Sequence, residues 1–351
     1  MMDTEPIAPL LPPITRSLIG LALVGFVLML LHLATPILTP ILFAFFLVAM
    51  AISPFRWLLA RGVRRGPALL LLVGILLVGG IALVLLTLVS VRNLQAGLTM
   101  YSEQLGVRMA DIKAAMAHLG LEAGGVGEEI AALSISGLSA FLAALVNVAS
   151  NALISLVIVT FFLIEFERFM IIIRSERVRS VPFVGQIPAV AQTAVRYFGI
   201  RTRLNLITGV GVTLICVLVG VDYALLWGVV AFFLSYIPYI GLLTAMIPPV
   251  LLALVEHGWP QALLVAIAIV LINLTIENVV EPGYTGNRLQ LSPTIVFLSF
   301  FFWGWLLGPI GALLSMPITV MLLLVLKHDE DTLWLARIIG TQIAPEVDRA
   351  I

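Results

Sequence analysis

The polar residues of this chain that could bind a proton or a cation are few, and one group of them is compact. Within the sequence N-L-T-I-E-N-V-V-E-P-G-Y-T-G-N-R-L, this group comprises Asn273, Glu277, Asn278, Glu281 and Arg288. Positions 273, 277 and 281 are four residues apart, so on an α-helix they form one polar stripe. Two carboxylates one turn apart can share a proton or bind a cation inside a membrane. The alternative is an ordinary helix end at a membrane surface, with Arg288 neutralising a neighbour.

Glu165 is a second candidate, at the end of the apolar stretch 141–164. Asn147 and Asn151 lie on one face of the same predicted helix, and Glu165 lies on the same broad side. This pattern is typical either of a polar path through the membrane or of an acidic side chain that merely meets the membrane surface.

The composition excludes most other classes of protein. Hydrophobic residues make up 61% and charged residues 11% of the 351 residues, and the mean hydropathy is +1.16, whereas soluble domains carry roughly 25% charged residues. The 19 Lys and Arg balance the 19 Asp and Glu, so no excess positive charge is available for nucleic acid. Cys216 is the single cysteine and the four histidines are scattered, so no disulfide, metal site or cofactor is expected. Since no Walker A, G-x-S-x-G or H-E-x-x-H motif occurs, the sequence predicts an integral membrane protein that is not an enzyme.

Stretches without charged residues predict the membrane segments. A spanning helix needs about 20 apolar residues, and single crossings are expected at 68–91, 141–164, 204–221 and 258–276. Three other stretches, 17–55, 224–255 and 289–326, would be about 50–60 Å long as straight helices, so each is expected to fold back on itself. The expected fold is an all-α integral membrane protein, a polytopic helical bundle of about eight membrane segments.

Two of the long stretches contain matching Gly/Pro breaks, which predict broken helical hairpins. Residues 238–248 read P-Y-I-G-L-L-T-A-M-I-P and residues 309–317 read P-I-G-A-L-L-S-M-P. Broken helices of this kind mark transporter sites, because they expose backbone groups that only protein or water can satisfy. The alternative is that glycine and proline simply permit kinks and close packing, and the hairpins either cross the membrane or re-enter it. The candidate tip and gating residues are Pro238, Gly241, Pro248, Gly308, Pro309, Gly311 and Pro317.

The Lys/Arg bias of the connections predicts the orientation of the chain. The connections 56–65 and 165–203 are rich in arginine, whereas 92–129 holds five acids and three bases. Both termini and the Arg-rich connections are therefore expected in the cytoplasm, and 92–140 outside.

Apolar residues at near-heptad spacing in 94–119 predict an amphipathic helix, which packs either on a second copy or on its own membrane domain.

The chain accordingly divides into seven segments. They are a disordered leader (1–16), N-terminal membrane helices (17–91), an amphipathic extracytoplasmic helical insertion (92–140), a membrane helix (141–164), an Arg-rich cytoplasmic amphipathic segment (165–203), a C-terminal membrane domain with the paired hairpins (204–326) and a cytoplasmic tail (327–351). The Arg-rich segment is typical of a surface helix under anionic membrane lipid.

Three C-terminal motifs resemble the autoinducer-2 exporter family of bacterial permeases. They are I-P-Y-I-G with I-P-P-V shortly after it, E-P-G-Y-T-G-N-R-L-Q-L-S-P, and G-P-I-G-A-L-L-S-M-P. The resemblance implies a multi-pass protein of the bacterial cytoplasmic (inner) membrane that forms a ring-like homo-oligomer, a pentamer by family expectation. It also implies an acidic residue at Glu165, where many relatives have Asp, and it carries over the motif positions Pro238, Gly241, Glu281, Pro282, Gly286, Pro293, Gly308 and Gly311.

Three functions stay open on the sequence. The leading one, implied by the resemblance, is export of a small polar organic solute like the quorum-sensing signal autoinducer-2. This export would be coupled to the proton gradient. The second is exchange of a monovalent cation, Na⁺ or Li⁺, for protons, with Glu277 and Glu281 as the exchanging carboxylates. The third is an oligomeric scaffold without flux. The expected partners are the solute, protons or monovalent cations, and membrane lipid, but not nucleic acid.

Overall fold

The computed structural model describes residues 13–118, 126–174, 187–237, 240–280, 293–326 and 332–333. In these ranges the chain is helical and contains no strand. The helices are α1 (Pro13–Leu33), α2 (Thr35–Ala60), α3 (Arg65–His118), α4 (Val126–Arg174), α5 (Ile187–Val219), α6 (Ala224–Leu234), α7 (Gly241–His257), α8 (Trp259–Thr275) and α9 (Pro293–Leu326), and the π-helical turn Ile276–Val280 follows α8.

Six segments are long and apolar enough to cross a membrane. They are Thr35–Ala60, Arg65–Arg108, Ser136–Glu165, Val195–Val219, Trp259–Val280 and Thr294–Leu323, and three shorter apolar helices cover Leu18–Leu33, Ala224–Leu234 and Gly241–His257. The prediction of an all-helical polytopic protein is thus confirmed for the described residues, while the number of eight membrane segments stays a prediction. The leader up to residue 12, the Gly-rich stretch 119–125 and most of the tail lie outside the described residues.

In the described residues, the predicted insertion 92–140 continues the membrane helices α3 and α4. The helices α3 and α4 have 54 and 49 residues and pack against each other. At about 1.5 Å per residue, α3 is about 80 Å long, more than twice the roughly 30 Å of a bilayer core. Its residues Leu94, Tyr101 and Leu105 are buried in the same cluster as Trp227 of α6. For this part of the near-heptad face, the structure favours packing on the chain's own membrane domain.

The first hairpin consists of α6 and α7, which pack against each other. Its two ends meet, because the backbone N–H of Asp222 donates a hydrogen bond to Oε2 of Glu256 at 3.2 Å. At the turn, Gly241 lies so close to the carbonyl oxygen of Leu234 that a Cβ atom there would overlap it. The expectation that 224–255 folds back is confirmed.

The second hairpin is α9, which is interrupted at Gly308 (φ 69°, ψ −159°). Trp303 Nε1 donates a hydrogen bond to Thr319 Oγ1 at 3.0 Å, although sixteen residues of straight helix would separate them by about 24 Å. The two limbs therefore lie side by side, and Gly311 is pressed against the carbonyl oxygen of Trp303. Fold-back within 289–326 is confirmed, with the turn at Gly308.

The third long stretch, 17–55, contains a different kind of break. A single residue, Ala34, separates α1 from α2, and its backbone is right-handed helical (φ −81°, ψ −2°). The N–H of Ala34 bonds to Leu30 O, and Ala34 O accepts the N–H of Leu38. The two helices therefore join without a loop, and α1 packs on α9 as well as on α2.

The two hairpins point in opposite directions along α5. The base of the first hairpin lies at the C-terminal end of α5, where Gly220 faces His257, and its tip residue Tyr236 contacts Thr202 midway along that helix. The base of α9 packs beside Tyr197 through residues that include Val296 and Leu323.

Candidate functional site

The two hairpins meet in an aromatic cluster on α2. Tyr236, at the first tip, is fully buried and packs edge-on against Phe46, with ring centroids 4.9 Å apart at 88°. Phe46 in turn packs against Phe198 of α5 at 5.1 Å and 72°. The second limb of α9 adds Ile310, Leu313 and Leu314 to the same cluster. Edge-to-face rings are a favourable arrangement, so the cluster closes the space between the hairpins tightly.

A small set of polar groups on α5 holds the first tip. Thr202 Oγ1 donates to Phe198 O at 2.6 Å and lies 2.7 Å from the hydroxyl oxygen of Tyr236. Because the single hydroxyl proton of Thr202 is used by the carbonyl, Tyr236 is the donor in the second bond. The side-chain amide of Asn205, oriented to satisfy both neighbours, donates to Arg201 O and accepts the N–H of Tyr236, each at 3.2 Å. Tyr236 is therefore held through its side chain and its backbone.

A pair of carboxylates joins the base of the first hairpin, outside the six candidate spans. Besides the bond from Asp222 N–H, Glu256 Oε2 lies 3.8 Å from His257 Nδ1, and Tyr101 donates its hydroxyl to Asp222 Oδ2 at 3.3 Å. The Glu256 side chain is only 13% exposed, and its Oε1 atom is buried without a hydrogen-bond partner.

Burial raises the pKa of Glu256 to about 7 from its ordinary 4.5. The N–H of Asp222 opposes this shift, and the negative charge of Asp222 adds to it. Glu256 can therefore gain or lose a proton near neutral pH. The sequence reasoning missed this residue, although Asp222 and Glu256 bracket the charge-free stretch whose ends a hairpin must bring together.

Comparison with known proteins supports a single family. The family described as AI-2E family transporter matches residues 21–329. The chain belongs to the AI-2E transporter family. This confirms the resemblance that the C-terminal motifs indicate, and together with the apolar helices it supports a multi-pass membrane transport protein.

Relatives of this AI-2E transporter cover most of its length. A Haemophilus influenzae protein, named as an inferred transport protein, is 31% identical over 334 residues, 93% of this chain and 96% of that protein. YhhT of Escherichia coli, also named as an inferred transport protein, is 30% identical over 294 residues, or 82% and 84% of the two chains. The Escherichia coli protein named AI-2 transport protein TqsA is 37% identical over 191 residues, 54% of this chain and 56% of TqsA.

Four of the seven predicted tip residues of this AI-2E transporter lie where the hairpins turn, namely Gly241, Gly308, Pro309 and Gly311. Gly241 and Gly311 both occupy the first turn of a second limb, and each lies against a carbonyl oxygen near the end of the first limb. The positive φ belongs to Gly308, not to Gly311. Pro248 and Pro317 are buried within the second limbs, and Pro309 is exposed directly after the turn. Pro238 lies outside the described residues.

The predicted carboxylate stripe has a different local geometry from the one assumed. The α-helix ends at Thr275, and Glu277 and Asn278 lie in the π-helical turn, where hydrogen bonds span five residues instead of four. Asn273 and Glu277 are half-buried, whereas Asn278 is exposed and donates to Leu274 O at 3.0 Å. The four-residue spacing therefore does not carry a straight stripe past Thr275. Glu281 and Arg288 lie outside the described residues.

Glu165 is exposed on α4, which continues beyond it to Arg174. On the same helix Asn151 donates to Asn147 O at 2.9 Å. The single hydroxyl proton of the buried Ser155 is shared between Asn151 O at 2.8 Å and Pro40 O of α2 at 3.0 Å. The polar face of α4 thus contacts α2 through a serine one turn beyond the two asparagines. The role of Glu165 stays a prediction.

Proposed function

We propose that this AI-2E transporter exports a small, uncharged, polar organic solute such as autoinducer-2 across the bacterial cytoplasmic membrane, coupled to the proton gradient. One observation carries the proposal: among the side chains whose burial the structure describes, the buried polar ones are all uncharged. These side chains are Thr39, Thr87, Ser155, Asn205, Thr208, Ser299, Ser315 and Thr319.

An interior whose buried polar groups are uncharged suits a neutral solute. A charged solute loses several kcal/mol of hydration in a membrane interior unless an opposite charge compensates it. Hydroxyl and amide groups exchange hydrogen bonds with a neutral polar solute at a far smaller cost. The name of TqsA, an AI-2 transport protein, supports autoinducer-2 as the first solute to test. Glu256 supports proton coupling, since its pKa of about 7 allows it to titrate in physiological conditions.

The path is proposed to open where the two hairpins meet, around Tyr236 and its partners Thr202 and Asn205. Opposed broken hairpins are the arrangement by which transporters expose one site to the two sides in turn. We further propose that both termini are cytoplasmic and that the protein works as a ring-like homo-oligomer in the lipid bilayer.

Reconstituted vesicles test this proposal. Purified protein in proteoliposomes should move autoinducer-2 faster when a pH gradient is imposed. Thr202→Val removes the hydroxyl that Tyr236 contacts, and loss of a buried hydrogen bond costs about 1–3 kcal/mol. We therefore expect a fall in transport of about fivefold or more. Thr160→Val is the matched control, because Thr160 is half-buried and bonds to Leu156 O four residues back, as Thr202 does to Phe198 O.

The results separate a wrong site from a wrong function. Equal transport by wild type, Thr202→Val and Thr160→Val would show that the path does not pass Tyr236. No autoinducer-2 flux by wild type at any pH gradient would overturn the proposed substrate. Glu277 supports the alternative of a cation/proton antiporter, because it is half-buried in a π-helical turn, a feature frequent at functional sites. In that case Na⁺ or Li⁺ alone should change the internal pH of the vesicles.

A further inference from the structure

The turn of the second hairpin brings the last carbonyls of its first limb against another element. The last carbonyls of any helix lack the N–H groups that would follow them. Here the first limb of α9 stops at Gly308 because of its positive φ, and Pro309 has no N–H to offer. The carbonyl oxygens of Leu306 and Leu307, at the end of this limb, accept hydrogen bonds from another element.

Three side chains at the junction of α1 and α2 supply those donors. Thr35 Oγ1 donates to Leu306 O at 2.9 Å, a shorter bond than its 3.3 Å contact with Leu31 O in its own turn. His32 Nδ1 lies 3.2 Å from the same Leu306 O, and since a carbonyl can only accept, this ring nitrogen is the donor. Thr39 Oγ1 donates to Leu307 O at 3.4 Å.

A ring contact reinforces these hydrogen bonds. The imidazole of His32 stacks on the indole of Trp305, with centroids 5.6 Å apart and planes 12° from parallel. The sequence T-P-I-L-T-P spaces Thr35 and Thr39 by four residues, so their hydroxyls project from one face of α2. Side chains from the end of α1 and from the start of α2 thus both contact the last turn before Gly308. We call His32, Thr35 and Thr39 the junction latch.

The junction latch connects the tip to the least embedded helix of the chain. Along α1, large apolar side chains are exposed on all faces, including Leu21, Phe26, Met29 and Leu33. A helix with few buried contacts shifts at a smaller free-energy cost than one in the core. Movement of α1 at Ala34 would therefore withdraw His32 without disturbing the aromatic cluster around Tyr236.

We propose that His32, Thr35 and Thr39 are positioning residues that hold the α9 tip closed, and that their release opens the solute path. The inference rests on the proposed function, since it assigns the gate of the same path. It predicts that weakening the junction latch lets the tip open even when no pH gradient drives transport. Solute should then leak down its own gradient when no pH gradient is present.

Hydrogen–deuterium exchange of the full-length protein tests the gate without a transport assay. In Thr35→Val/Thr39→Val, both hydroxyls are replaced by methyl groups of similar volume. We expect amides at 308–314 to exchange at least tenfold faster than in wild type, and solute leak to rise. Thr35→Ser/Thr39→Ser keeps the hydroxyls and should restore slow exchange and a tight path. Thr160→Val should resemble wild type in both measurements.

Each outcome bears on the inference in a defined way. Unchanged exchange at 308–314 in the double valine variant would overturn it, even if transport falls. Faster exchange with serine rescue but no added leak would also overturn it, because the residues would then serve structure alone. If the double variant does not fold, Thr35→Val alone is measured against the same criteria. Absence of autoinducer-2 flux in wild type would reject the proposed function, whereas the exchange data would still report the junction latch.

Discussion

Replacement of Gly308 by alanine isolates the backbone conformation of the second turn. At φ 69° and ψ −159°, Gly308 occupies a region that is essentially restricted to glycine. A Cβ atom added there would find no atom within 4 Å, so the whole cost of Gly308→Ala is conformational. Such backbone strain costs about 1–3 kcal/mol, which corresponds to roughly a fivefold to 150-fold change in an equilibrium constant. We expect the variant to fold less stably or to shift its tip.

The assay is thermal unfolding in detergent. Tryptophan fluorescence monitors it, because Trp303 and Trp305 lie on the first limb beside the turn. Gly74→Ala is the first control: Gly74 lies within α3 with equally open space and no positive φ. Since alanine favours helix by about 1 kcal/mol over glycine, this control should not lower the melting temperature. Gly62→Ala is the second control, because Gly62 has φ +84° and open space but lies between α2 and α3. Melting of Gly308→Ala at the wild-type temperature would refute the reasoning.

Two further predictions concern the base of the first hairpin and the orientation of the chain. Because the folded pKa of Glu256 is raised to about 7, its contribution to stability is complete below pH 4.5 and is lost as the pH rises through 7. Glu256→Gln should remove this loss when melting temperatures are compared from pH 4 to 8.5, and a parallel pH profile of both proteins would contradict it. For orientation, a cysteine at the partly exposed Ser102 should react with an impermeant thiol reagent added to whole cells, whereas a cysteine at the exposed Arg61 should not. The native Cys216 is fully buried and should stay unlabelled, and the reverse pattern at 102 and 61 would overturn the orientation.

Length and Gly/Pro breaks together made the two hairpins predictable, although the equally long stretch 17–55 joins α1 to α2 without a loop. Charge-free stretches of 224–255 and 289–326 are too long for one crossing and carry Gly and Pro near their middles. Which glycine takes the positive φ was not predictable, since Gly308 and Gly311 both lie beside Pro309 and only the packed limbs distinguish them. The sequence also indicated two matching Gly/Pro breaks. In the structure the matching glycines, Gly241 and Gly311, make the same kind of contact with a preceding carbonyl oxygen.

The contacts that hold the tips could not be read from the sequence. Thr35 and Leu306 are 271 residues apart, and no local pattern relates a threonine near the start of the chain to a carbonyl near its end. The π-helical turn at Ile276–Val280 follows an ordinary apolar helix without Gly or Pro, so four-residue spacing was the natural assumption. For the near-heptad face of α3, periodicity showed which side is apolar but not what covers it, which is decided by tertiary packing.

The unbroken length of α3 has a mechanical consequence. A continuous helix of 54 residues behaves as a stiff rod, and it is held near its middle, where Leu94, Tyr101 and Leu105 pack beside the base of the first hairpin. If the part of α3 beyond Leu105 tilts, the helix should pivot near Tyr101 and displace the base of the first hairpin, to which Tyr101 is bonded through Asp222. An antibody fragment or a crosslink that tilts the part of α3 beyond Leu105 should therefore alter transport without touching any group along the proposed solute path.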